Sequence, residues 1–143
     1  MDAAAQLTPE ELVRDFQTSD RSVLDTLVHV YAADRLWLRR LEGKPFAGFS
    51  SDADRSLSVL QNEWPPLLER WKQWVASLDD ARAASSFEYT DLQGRHWSQP
   101  VWQLVSHVVN HGTHHRGQVS GFLRTMGHVP PYLDLLYYYR EVQ

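Results

Sequence analysis

The chain has 143 residues, 43% hydrophobic and 22% charged, with six Trp, six Tyr and five Phe, which predicts a single globular domain over residues 1–143 with a packed core. Its net charge of −4 is carried by interspersed signs without a Lys/Arg-rich run, which argues against a nucleic-acid partner. Cysteine is absent, which excludes disulfides, thiolate nucleophiles and Cys-ligated zinc, so any metal must rely on His and oxygen ligands.

No apolar run approaches the roughly 18 residues that span a bilayer, and the N-terminus has no signal-peptide pattern. The expectation is a cytoplasmic protein without a membrane partner.

In chain order, Met1 to Gln6 is helix-permissive and Leu7-Thr8-Pro9-Glu10-Glu11-Leu12 reads as a fresh helix start. Thr8 would cap it, Pro9 would open it, and the two glutamates would face the positive end of the dipole. Thr18 to Ser22 is a polar break. Ser22 to Glu42 is helical in composition and stops at Gly43-Lys44-Pro45. Phe46 to Ser51 is a loop. A third helix is expected to start after Ser51 or Asp52 and run to about Leu78, with Pro65 and Pro66 predicting a kink or a break. Phe87–Thr90 and Arg95–Ser98 flank Asp91-Leu92-Gln93-Gly94 as a short β-hairpin. The last long helix opens at Ser98-Gln99-Pro100 and ends near Gly127, and the aromatic tail from Tyr132 to Gln143 reads as a short helix or strap. The pattern predicts an all-α antiparallel helical bundle carrying a small hairpin.

The last long helix holds four of the seven histidines within the nine positions 107–115. On a helical wheel His111 and His115 stand in the middle of an apolar stripe with Leu104, Val108, Val119, Phe122 and Met126, while His107 and His114 sit on its shoulder. Two imidazoles four residues apart on one face can ligate one divalent ion. Burying them unpartnered would cost a few kcal/mol. The plain alternative is that each hydrogen-bonds a carbonyl or carboxylate in the core. Gly112 and Gly117 suggest close approach by a neighbouring helix or a substrate. His29, His96 and His128 are the candidates for a third ligand. His29 lies off the main apolar arc of its helix, in a second uncharged row with Ala33, Leu36 and Trp37.

The segments His29-Val30-Tyr31-Ala32-Ala33-Asp34-Arg35-Leu36-Trp37 through Gly43, and His107-Val108-Val109-Asn110-His111-Gly112-Thr113-His114-His115-Arg116-Gly117-Gln118, resemble the DinB/YfiT-like family. The resemblance implies a four-helix bundle with a three-histidine metal site, one histidine from the second helix and two from an H-x-x-x-H on the last long one. On this chain those are His29, His111 and His115. Relatives open with a full first helix, whose end resembles Asp2 to Leu7 here. The expectation is therefore a shortened first helix, reflecting either a late-assigned start or a homodimer whose partner supplies the missing contacts.

Three neutral imidazoles leave coordination positions open, as catalytic sites do. Zinc is the first choice, and nickel, manganese or iron also accept such a donor set. The resemblance implies activation of a low-molecular-weight thiol, or of water, in a hydrolase or thiol transferase. The rival is a non-catalytic metal-binding, dimerisation or stress-related helical module. Asn110 and Gln118 are candidates for orienting the ligands. Arg116 is a candidate anion site or, alternatively, an ion-pair partner of Asp34. The sequence identifies no general base.

Overall fold

The computed structural model describes residues 1–45 and 47–141; Phe46, at the start of the expected loop, and Val142 and Gln143, at the end of the tail, lie outside them. The protein is mostly helical, with one two-stranded antiparallel hairpin. Its helices are α1 (Asp2–Ala5), α2 (Pro9–Leu12), α3 (Val23–Leu41), α4 (Leu57–Ala76), α5 (Asp80–Ala84), α6 (Val101–Thr125) and α7 (Leu135–Glu141), and its strands are β1 (Ser86–Thr90) and β2 (His96–Pro100).

Local chemistry sets most of these boundaries. Thr8 caps α2 in a reciprocal box, accepting from the Glu11 amide at 3.2 Å while Glu11 accepts from the Thr8 amide at 2.9 Å. Ser22 caps α3 by accepting from the Asp25 amide at 3.1 Å. Gly43, at φ +69°, ends that helix in the left-handed conformation that a side chain disfavours. Asp79 caps α5, a helix that no sequence signal singled out, by accepting from the Arg82 amide at 2.7 Å.

α4 runs unbroken through Pro65 and Pro66, where a kink or break was expected. The carbonyls those prolines leave without a donor belong to Gln61 and Asn62, both exposed, so water can take over the missing bonds.

α3 is the central element, packed against α6 and α4. Its two apolar rows are both used. Leu24, Tyr31, Leu38 and Leu41 enter a core with Leu60, Leu67, Trp71 and Leu104. Val23 joins Ala4, Leu7, Phe122 and Leu123 in a second cluster, which seats α1 on the end of α6. Phe16 stacks on Phe122 at 4.2 Å between centroids. The hairpin pairs Ser86 with Pro100 through to Thr90 with His96. Tyr89 of β1 meets Trp37 of α3 at 5.1 Å, which lays the hairpin over α3.

One core carboxylate is out of its ordinary state. Asp34, in the middle of α3, is 7% exposed and accepts from the Trp64 indole at 2.9 Å. Burial pushes its carboxyl up to about 6, against the opposing pull of Trp64 and of the Arg116 charge. With a native pKa above the unfolded value of 3.8, the folded chain holds the extra proton. Stability from this group is complete below about pH 4 and is lost as pH rises through about 6. Asp34→Asn keeps an acceptor for Trp64 and removes the buried charge. It should raise unfolding free energy at pH 8 by roughly 2–3 kcal/mol, at about 1.4 kcal/mol per pKa unit, with little change near pH 3.5. Urea melts at the two pH values check this, and equal stability of the two proteins at pH 8 would contradict it.

Candidate metal centre

His29 stands one turn and a half into α3, and His111 and His115 stand one turn apart on α6, the helix packed against it. That packing brings the three imidazoles together. The His111 Nε2 lies 3.0 Å from the His29 Nε2 and 3.1 Å from the His115 Nε2. One nitrogen from each ring falls within 4.8 Å of the others. His115 is buried and the other two are half-buried. Neither His96 nor His128, the other candidates from sequence, joins them. His96 is exposed at the end of the hairpin and contacts Thr90, and His128 meets Glu11 at 2.9 Å.

A neutral imidazole carries one N–H and one lone pair. The His115 Nδ1 faces the Gln118 Oε1 at 2.5 Å and the Asp20 Oδ2 at 3.2 Å, and the His29 Nδ1 faces the Asp20 Oδ1 at 3.9 Å. A proton on the His115 Nδ1, facing Gln118, leaves the Nε2 lone pair of that ring turned toward His111. The single Nε2 of His111 stands between the Nε2 atoms of both neighbours. A divalent cation would accept all three lone pairs at once. Bonds of about 2.0–2.1 Å place neighbouring nitrogens roughly 3.0–3.4 Å apart, and the two short edges fall in that range.

The electrostatics point the same way. Burial lowers the pKa of His29, with Asp20 opposing and His115 reinforcing the shift. Burial, followed by the charges of the surrounding histidines, lowers that of His111 to about 4. Both rings are therefore neutral at pH 7, the state in which imidazole is a ligand.

Asp20 is the residue that sequence reasoning missed. Its Oδ2 is buried and makes no full hydrogen bond, although it lies beside the His115 Nδ1. A carboxylate beside these rings would contribute negative charge to a cation held there. Gln17 and Arg21 both adopt left-handed φ, at 58° and 57°, and Arg21 clamps Asp15 at 2.9 Å. Such non-glycine conformations cost of order 1–3 kcal/mol each. Nothing in the local spacing marks Asp20, which belongs to the polar break before α3.

The remaining candidates are placed as follows. Gln118 contacts the cluster through His115. Asn110 is exposed and makes no side-chain hydrogen bond among the described residues. Arg116 is exposed and donates to the Thr113 hydroxyl at 2.9 Å. It also folds back over Gly112, where an added Cβ would meet its Nη1 at 2.9 Å. Nothing in the structure explains Gly117.

The cluster borders three cavities, one of them an apolar space of about 280 Å³ at His115. A polar cleft of about 350 Å³ reaches His29 past Asp20, Asp25 and Arg55. A larger one, about 620 Å³, reaches His29 and His111 between α3, α6 and the hairpin. Among the described residues, no helix is long and apolar enough to cross a membrane.

Protein DinB of Bacillus subtilis (strain 168) is 24% identical over 129 residues, covering 84% of this chain and 74% of that protein. The sequence profile of the DinB family matches residues 1–142, and the chain therefore belongs to the DinB family.

Proposed function

We propose that this protein is a divalent-metal-binding enzyme whose ion is held by His29, His111 and His115. The observation that carries this reading is the meeting of three imidazole nitrogens from two helices, with contacts at 3.0 and 3.1 Å that match the spacing of ligands on one ion. When bound, the ion supplies Lewis acidity, which lowers the pKa of a thiol or water in its remaining coordination positions toward neutrality. Zinc suits three imidazoles best, and nickel, manganese or iron are compatible.

The chain's own groups have defined parts. Gln118 holds the orientation of His115, and Asp20 places a negative charge beside His115 and His29. The cleft toward the hairpin gives a small molecule access to the histidine cluster. An enzyme is favoured over a purely structural module because that cluster opens on a cleft instead of being sealed by side chains. In this reading residues 1–143 form one domain built as the family's antiparallel four-helix bundle. α3, α4 and α6 are three of its members, and α1 with α2 lies at the remaining position. A homodimer is part of the reading, with the exposed Leu135, Leu136 and Tyr137–Tyr139 on α7 as apolar surface for a second copy.

The test is a rate comparison. Zinc-loaded protein should accelerate addition of 2-mercaptoethanol to monochlorobimane, or hydrolysis of 4-nitrophenyl acetate, at least tenfold over metal-free protein. Equal rates in both reactions with zinc, nickel, manganese and iron would favour the non-catalytic module.

A further inference from the structure

The 620 Å³ cleft does not stop at the histidines but extends along α3 to the hairpin. On its α3 side lie His29, Ala33, Trp37 and Arg40, spaced four, four and three residues apart and so on one helical face. Helical rise separates the first and last of these by about 16 Å. Between them the wall is aromatic. Trp37 meets Tyr89 at 5.1 Å and His107 at 5.5 Å, and Trp97 lines the hairpin side.

At the far end stands a cation with no carboxylate in salt-bridge contact among the described residues. The Arg40 guanidinium lies 4.8 Å over the Trp37 ring and 5.4 Å from that of Tyr89. Its side-chain hydrogen bond runs from Nη2 to the Thr90 carbonyl at 2.6 Å, leaving further N–H donors. No carboxylate pairs with it among the described residues. The nearby Asp91 is committed elsewhere, accepting from the Arg95 Nε at 2.8 Å and the Trp97 indole at 2.9 Å. Arg95 and Asp91 cancel, so Arg40 leaves the cleft with one net positive charge.

We propose that this cleft binds an elongated organic carboxylate. The carboxylate takes the remaining donors of Arg40, an apolar or planar body lies against Trp37, Tyr89 and Trp97, and the reacting atom reaches the three-histidine end. The reacting end rests on the metal-site reading above; the recognition end does not.

The test uses metal-free protein and two probes of equal shape, benzoate and benzamide, followed through the indole N–H resonances of Trp37 and Trp97. Benzoate should bind at least tenfold more tightly than benzamide. Arg40→Gln should abolish that preference, and Arg40→Lys should keep part of it. Equal affinity for the two probes in the unaltered protein would overturn the proposal, whatever the variants do. So would a benzoate preference that survives in folded Arg40→Gln protein, leaving Arg40 as a brace for the hairpin. Zinc is then added with 4′-mercaptobiphenyl-4-carboxylate, a thiol-carboxylate long enough to reach from Arg40 to the histidines. If zinc fails to tighten it while the benzoate preference holds, the metal-site reading fails and the carboxylate cleft stands.

Discussion

His111→Ala should lower zinc affinity by more than the 10–100-fold typical of losing an outer-shell group, and by more than either His29→Ala or His115→Ala. His111 is the hinge of the cluster, since its Nε2 touches both of the others while theirs meet through it. Its loss removes both short contacts at once and leaves His29 and His115, which share neither of them. The fold should survive. His111 is half-buried, lies at the wall of an open cleft, and is neutral down to about pH 4, so removing it strands no charge. Competition with a chromogenic chelator gives the three affinities, and near-UV circular dichroism confirms packing. Parent-like affinity in all three variants would remove the basis for the site.

Asp20→Ala should weaken zinc binding by about 10–100-fold without removing a ligand. Two contributions are lost together, the carboxylate facing the Nδ1 atoms of His115 and His29 and the negative charge beside the incoming cation. Asp20→Asn separates them, because the amide retains an acceptor but not the charge, and it should fall between parent and alanine. The metal-free Asp20→Ala protein should be no less stable than the parent, since the Oδ2 it removes is buried without a full hydrogen bond. The chelator competition reads the affinities and urea melts read the stability. An Asp20→Ala protein that binds zinc like the parent would make the carboxylate a bystander.

The long helices and the pair on α6 were legible in sequence because helix periodicity is a local property. The apolar stripe that carries Leu104, Phe122 and His115 into the interior repeats within one segment, and the wheel reads it without knowing the neighbour. The caps at Thr8 and Ser22 are equally local. His29 was different. Its row on α3 becomes interior only because α3 is covered on two faces, which is a tertiary fact that composition suggests and packing decides. The resemblance to a family supplied what the wheel could not.

Asp20 and Arg40 were illegible for related reasons. Asp20 reaches His115 across 95 residues of chain through a loop whose left-handed turns at Gln17 and Arg21 have no glycine to announce them. Arg40 follows Arg39 in what looks like ordinary basic charge at a helix C-terminus. Only the hairpin folded over α3 makes it a cleft residue. The unbroken course of α4 through two prolines teaches the converse, because a strong local signal yielded where the orphaned carbonyls face water and the helix face below them is held by Leu60, Leu67 and Trp71.

The central claim is that three histidines from two helices hold one ion. Elemental mass spectrometry on tag-free protein, beside a His111→Ala/His115→Ala double variant, tests it most directly. Close to one divalent ion per chain in the parent and none in the folded variant is the predicted result. A parent that takes up no ion even after reconstitution with zinc, nickel, manganese and iron would contradict it and return the three imidazoles to the core as hydrogen-bonding groups.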